Sequence, residues 1–249
     1  MDWSTFALLG GLSVFVGALI GGIGIGGVFL VPILTYIFDV EVHMAIAAAM
    51  FSYLFSGLIG TSIYARKRSI NWNMALWLFA GAMPAAFMGA LLASAVPARG
   101  LEFLIAALIV FAGGNALLTK VDEANQVRLL GPVQLVVIGV VTGIGSALSG
   151  TGGPLVLVPV LVWLKVPTLT AVGLSQAVQL PIASLATIGN FIYGTVDIII
   201  GGVIAAALMI GSAVGVQLAH AVSQAILRRV VAWVLVGVGI FMIGRILLA

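Results

Sequence analysis

Gly21 to Leu34 reads "GGIGIGGVFLVPIL", and a segment of closely similar character returns at Gly150 to Leu161 as "GTGGPLVLVPVL". Five of the first fourteen residues are glycine, yet the flanking chain is continuously apolar. Glycine weakens a helix by about 1 kcal/mol per residue relative to alanine and admits left-handed backbone. A chain that places such a segment twice inside long apolar blocks interrupts its own helices at two matched points.

Composition fixes the surroundings of those interruptions. Of 249 residues, 63% are hydrophobic and 7% charged, against roughly a quarter charged in a soluble domain. Most segments are apolar runs of about 20 residues, the length a helix needs to cross ~30 Å of hydrocarbon. The alternation of an outer-membrane barrel is absent, so the reading is an all-α integral membrane protein. The net charge of +3 comes from ten Lys and Arg spread over the loops; it suits membrane orientation and is no footprint for nucleic acid. Without cysteine there is neither a disulfide nor a thiolate metal site. The start, "MDWSTFALLGG", has an acid and no Lys or Arg, unlike a cleavable signal peptide, and is expected to be the first helix of the mature protein.

Eight apolar blocks follow along the chain: Thr5 to Phe38, Met44 to Ala65, Met74 to Val96, Leu101 to Thr119, then Val133 to Leu164, Leu169 to Tyr193, Ile198 to Ala219 and Val230 to Leu248. A polar connector, Lys120 to Gly131, separates the two sets of four. The expected organisation is a first transmembrane repeat over 1–119, a connector over 120–131 and a second repeat over 132–249. At an offset of 126, Gly17 meets Gly143, Gly24 meets Gly150, Gly26 and Gly27 meet Gly152 and Gly153, Asn71 meets Asp197, and Gly89 meets Gly215. One inserted residue brings Pro32 onto Pro159.

The first block of each half exceeds 30 residues and as one straight helix would reach roughly 50 Å, too long for the bilayer. Each is expected to run as a spanning helix, break at its glycines and turn back as a shorter helix. Loop charge supports turning back. Single passes would make the halves parallel copies, with Arg99, Lys165, Arg228 and Arg229 outside against six positive residues inside. Blocks that turn back invert the halves and leave only Arg99 and Arg245 outside, a bias of eight to two. The fold expectation is therefore two inverted-topology repeats, each a broken first block plus three spanning helices, an arrangement common in secondary transporters.

The paired Gly-rich, Pro-bearing segments, each followed by a small-residue helix ("AIAAAMFSYL" from Ala45, "AVGLSQAVQL" from Ala171), resemble the sulfite exporter TauE/SafE family, also called the toluenesulfonate uptake permeases. The resemblance covers nearly the whole chain. It implies a multi-pass carrier in a bacterial or archaeal plasma membrane for small sulfur-containing anions such as sulfite, sulfonates or sulfoacetate. Where the family tends to a Gly-Thr-Ser triplet after the break, this chain has Ala47-Ala48-Ala49 and Gly173-Leu174-Ser175, which argues against a strictly symmetric site.

The residues lead to a compatible chemistry. A helix that begins inside the membrane presents unpaired N–H groups and its positive dipole end, and glycine lets an anion approach that backbone. Gly24, Gly26 and Gly27 in the first break, with Gly150, Thr151, Gly152 and Gly153 in the second, are the expected substrate-binding backbone. The bland alternative is that these glycines only permit close helix packing. Ser175, Gln176 and Gln179 share a helical face and are expected to line the substrate, or else to join helices as amide glue. No cofactor or metal is called for. The expected partners are a small anion, membrane lipid and a second copy of the chain in a homodimer, without nucleic acid.

Asp39, Glu41 and His43 cluster in "FDVEVHM", read as a solvated loop with a proton relay as the alternative. An enzyme would need an acid–base pair, a nucleophile or a metal cluster, and two histidines about 180 residues apart supply none. An anion channel and an ion-coupled importer of organosulfonates stay open beside an exporter. The topology has a direct check. Single cysteines introduced at Ser69 and Arg228 should label from the cytoplasmic side, and those at Arg99 and Thr195 from outside. Labelling of positions 69 and 195 from one side would end the inverted-repeat reading.

Overall fold

The structure, a computed structural model, describes residues 3–24, 26–118, 130–194, 196–218 and 224–248. Ten α-helices account for nearly all of the described chain, and six of them are long and apolar enough to cross a membrane. The connector from Lys120 to Val127, with Arg128, and also Thr195 and His220, lie outside the described residues.

The first block divides as expected. Helix α1 (Trp3–Ile23) stops at Gly24, a 3-10 turn covers Gly26–Phe29, and α2 (Leu30–Ile37) completes the block. The chain folds back on itself here, because Gly26 lies so close to α1 that a Cβ would sit 2.5 Å from the Leu19 Cβ and 2.6 Å from the Val16 carbonyl oxygen. The second half repeats the plan with α6 (Pro132–Ser149) and α7 (Pro154–Trp163). Gly24 and Gly150, equivalent at the offset of 126, both end their helix in left-handed backbone, with φ of 80° and 67°. That conformation costs any residue with a Cβ roughly 1–2 kcal/mol and comes freely to glycine.

The long helices are α3 (Val42–Arg66), α4 (Trp72–Ala95) and α5 (Ala98–Leu118), then α8 (Thr168–Tyr193), α9 (Ile198–Leu218) and α10 (Gln224–Leu248). The last begins six residues ahead of the expected Val230, since Arg228 and Arg229, read as loop charges, are good helix formers. Asn71 and Asp197, a matched pair in the sequence, are N-caps. The Asn71 carboxamide oxygen accepts from the Met74 N–H at 3.2 Å, and the Asp197 carboxylate accepts from Ile199 and Ile200 at 2.9 and 3.0 Å.

Packing forms a row, α1–α9–α3–α8–α4–α6, with α5 and α10 paired and the short α2 and α7 tucked against α3 and α8. The first and last pairs of the row are cemented by glycine. A Cβ at Gly17 would lie 2.7 Å from the Leu208 carbonyl oxygen, and one at Gly143 would lie 2.5 Å from that of Ala82. Residues 17 and 143, like 82 and 208, differ by 126, so the same contact is made twice. Gly215 against Ala18 and Gly89 against Ile144 repeat likewise. Both pairs run parallel, whereas α3 and α8 run antiparallel, with Tyr53 beside Gln179 and Thr61 beside Gln176. The α5–α10 pair is antiparallel too, with Gly113 facing Leu235 and Gly239 facing Val110. Small residues at such crossings let backbones meet, which is how helices associate when lipid supplies no hydrophobic drive.

Gly11 and Gly215 give a clean contrast. A Cβ at Gly215 would overlap the Ala18 carbonyl oxygen, and one at Gly11 meets nothing within 4 Å. Gly215→Ala should lower the melting temperature in detergent by an amount equivalent to about 1–3 kcal/mol or more. Gly11→Ala should leave it unchanged or slightly raised.

Candidate functional site

The two breaks meet in the middle of the row. A Cβ at Gly27 would lie 2.9 Å from the Thr151 carbonyl oxygen, so the backbone of one break touches the backbone of the other. Between them lies Tyr53 of α3, fully buried. Its hydroxyl donates to the Gly27 carbonyl at 2.6 Å, and its ring covers Gly152, where a Cβ would lie 2.7 Å from Cδ2. Tyr53, equivalent to Gln179 at the offset of 126, is not among the site residues expected from the sequence. The signal that could have singled it out is a tyrosine in a small-residue run, since a buried phenol in a membrane needs a partner for its O–H.

The first break is held by side chains from elsewhere. The Ile20 carbonyl accepts from the Gly24 N–H at 2.9 Å and from Gln176 Nε2 at 3.0 Å. The Gly21 carbonyl accepts from the Tyr64 hydroxyl at 3.1 Å, and Gly27 from Tyr53. The second break closes largely on itself. The Ser146 carbonyl accepts from the N–H groups of Gly150 and Thr151, the latter at 3.2 Å. The Ser149 and Thr151 hydroxyls lie 2.9 Å apart, and Ser149 also donates to Gly145 at 2.6 Å. Among the described residues, the buried hydroxyls of Thr142 and Ser146 have no partner. The two residues stand one helical turn apart on α6, and a Cβ at Gly153 would lie 3.8 Å from the Ser146 hydroxyl and 3.9 Å from the Thr142 methyl.

The expected site residues are thus gathered, and each has a second structural occupation. Gly26 lets the chain return along α1, Gly27 and Gly152 make room for Tyr53 and the opposite break, and Gly150 abuts Val31 and Ile46. Gly24 lies near Val158 and the Ser175 hydroxyl, while Gly153 lies near Ile182. Ser175 donates to its own helix at Val172, 2.7 Å. Gln176 reaches α1, and Gln179 Nε2 donates to the Tyr53 carbonyl at 3.1 Å and to the Ser56 hydroxyl at 2.9 Å. Because their acceptors are carbonyls, the amide orientation of both glutamines is fixed. Those amides join α8 to the first half, while the Gln176 amide oxygen and the hydroxyls of Thr142 and Ser146, which the sequence reading passed over, have no partner among the described residues.

The acidic loop is exposed at Asp39 and Glu41 and half-buried at His43, and hydrogen bonds tie it to the helices beside it. Glu41 caps α3 by accepting from the Met44 N–H at 3.3 Å and pairs with Nδ1 of His43. Burial alone would raise the Glu41 carboxyl, but the hydrogen bonds from His43 and Met44 bring it below its ordinary value. Nε2 of His43 lies 3.0 Å from the Val96 carbonyl, which fastens the start of α3 to the end of α4.

Comparison with known proteins agrees with this architecture. The family described as "Sulfite exporter TauE/SafE" matches residues 6–242. A Methanocaldococcus jannaschii protein named "Probable membrane transporter protein MJ0441" is 29% identical, over 96% of this chain and 97% of its own length. "Probable membrane transporter protein YdhB" of Bacillus subtilis is 26% identical over 86% of this chain and 91% of its own length. A "Probable membrane transporter protein" of Xylella fastidiosa strain Temecula1 reaches 34% over 95% and 93%. No solved structure matches the chain.

Tyr53 is the contact to test. Tyr53→Phe keeps the ring over Gly152 but leaves the Gly27 carbonyl without its donor, so stability in detergent should fall by about 1–3 kcal/mol. An unchanged melting temperature would mean that the carbonyl finds another donor and that the phenol does not seal the break.

Proposed function

Because the chain belongs to the sulfite exporter TauE/SafE family and is a multi-pass membrane transporter, we propose that it moves a small sulfur-containing anion, of the sulfite, sulfonate or sulfoacetate type, out across a bacterial or archaeal plasma membrane. The family is one of transporters, which points away from catalysis. The observation that carries the reading is the meeting of Gly27 with Thr151, beside the unpartnered hydroxyls of Thr142 and Ser146. The anion is received there by backbone N–H groups of Gly152 and Gly153, with Gly24, Gly26, Gly27 and Gly150 shaping the breaks. The hydroxyls of Thr151, Ser146 and Thr142 complete the donors, so no cation has to be buried in lipid. Ser175, Gln176 and Gln179 set the wall behind them. Tyr53 fills the gap when no anion is present and yields when one arrives.

We also infer that the halves, 1–119 and 132–249, are inverted. Contacts that recur at the offset of 126 relate α3 to α8 and α5 to α10, and each of these equivalent pairs is antiparallel. An axis along the membrane normal would leave equivalent helices parallel, so the antiparallel pairs favour an axis in the membrane plane.

Direction follows from charge. A dianion leaving a cell with an inside-negative potential of 100 mV gains about 4.6 kcal/mol without a coupling ion, and import would have to overcome the same amount. In reconstituted vesicles with an imposed potential, sulfite or sulfoacetate should move toward the positive side and continue when pH and sodium gradients are collapsed. Thr151→Val should weaken apparent affinity by roughly 1 kcal/mol, several-fold, with the protein still folded. Flux that stops with either gradient, at constant potential, would overturn the export reading. Sulfate, thiosulfate and arylsulfonates tested in parallel set the substrate range.

A further inference from the structure

Where α3 begins and α4 and α8 end, a cavity of about 300 Å³ opens between the three helices, lined among others by His43, Ile46 and Ala47 of α3, Ser94 of α4 and Asn190 of α8. Among the described residues no carboxylate lines it. Asn190 is only 7% exposed, and its amide nitrogen has no partner among the described residues. A buried amide left unsatisfied in this way calls for an explanation, because it costs about 1–3 kcal/mol. Both ring nitrogens of His43 face acceptors, Glu41 at Nδ1 and the Val96 carbonyl at Nε2. The doubly protonated ring satisfies both, with its charge paired to the Glu41 carboxylate, so the unpartnered amide of Asn190 is the donor left facing the cavity.

Ile46 lines the cavity and also packs on the second break, where a Cβ at Gly150 would lie 3.1 Å from the Ile46 Cα and Cγ1. The matched position in the other half shows why the space exists here. The counterpart of Asn190 at the offset of 126 is Tyr64, whose ring is buried and whose hydroxyl reaches the Gly21 carbonyl. The counterpart of Ala47 is Gly173, covered by the Ser69 carbonyl, 2.9 Å from where a Cβ would be. Replacing a tyrosine by the shorter asparagine leaves room for a ligand and retains a donor beside it.

We propose that this cavity is a vestibule binding a small oxyanion on the side of the membrane where α3 begins, with Asn190 as its contacting amide and Ile46 as the barrier between it and the second break. The inference rests on the assignment of the break as the transport site, and its test has separate readouts. The native chain has no cysteine, so single ones report cleanly. Sulfoacetate should slow labelling of Ser94→Cys by an anionic thiol reagent, and Asn190→Leu or the milder Asn190→Ala should abolish that protection. Labelling of Ser94→Cys at the same rate with and without sulfoacetate would overturn the vestibule. Thr151→Cys should react at least tenfold faster with the same reagent when Ile46→Ala is added, and an unchanged rate would overturn the barrier. Monodisperse elution of each variant establishes that it is folded. Protection without net flux of any sulfur anion would fault the transport assignment and uphold the vestibule. Flux without protection would fault the vestibule alone.

Discussion

A helix that stops inside hydrocarbon leaves carbonyl and N–H groups that lipid cannot satisfy, and the positions of α3 and α8 follow from that constraint. At the first break, three carbonyls of one short stretch, Ile20, Gly21 and Gly27, receive Gln176, Tyr64 and Tyr53. Each donor comes from a long helix at the centre of the row. The break therefore fixes how α3 and α8 approach α1, and Gln179, bonded to the Tyr53 carbonyl, ties those two helices to each other. The second break lacks such visitors. The counterparts of Tyr53, Tyr64 and Gln176 at the offset of 126 are Gln179, Asn190 and Met50. The first turns to α3, the second has an unpartnered amide nitrogen, and the third has no donor. Two similar glycine motifs thus end in different states, one sealed by neighbours and one closed on its own chain.

Around this centre, glycine does the opposite of breaking. At Gly17, Gly211 and Gly215 on one side, and Gly81, Gly89, Gly139 and Gly143 on the other, backbone meets backbone with no side chain between. Such contacts have no rotamers to rearrange, so α1 with α9 and α4 with α6 have little room to adjust. Across the α3–α8 seam between them, Thr61 donates to the Gln176 carbonyl, and Gln179 donates to the Tyr53 carbonyl and the Ser56 hydroxyl.

Much of this was legible in the sequence, for reasons that differ by residue. The apolar blocks and their glycine clusters gave the helices and both interruptions, because lipid permits little else. Asn71 and Asp197 stood out as a matched pair, and their shared role as N-caps explains why a polar residue recurs there. What stayed hidden depended on distance in the sequence. Tyr53 reaching Gly27, Tyr64 reaching Gly21 and Gln176 reaching Ile20 join positions 26 to 156 residues apart, and no local pattern announces them. The glutamines were recognised as unsuited to lipid, but only their acceptors reveal that the amides bridge helices. Thr142 and Ser146 were overlooked because a hydroxyl on a membrane helix can bond back to its own turn, as Ser52, Ser149 and Ser175 do.

That last distinction bears on function. A membrane helix can spend a hydroxyl on the carbonyl three or four residues back at little cost, so an uncommitted buried hydroxyl is a choice the packing has to sustain. In the first half, the positions equivalent to Thr142 and Ser146 are Val16 and Ile20, which shows that the fold accepts apolar side chains there. Keeping hydroxyls at the second break alone, beside Gly153 and opposite Gly27, forgoes that apolar packing without a compensating bond inside the protein. Under the proposed function, the imbalance is repaired when a ligand with several acceptor atoms occupies the break. A small oxyanion has those acceptors on every side and is compact enough to be held by backbone and hydroxyl donors together. On that proposal the same reasoning extends one step outward, to the unpartnered amide nitrogen of Asn190.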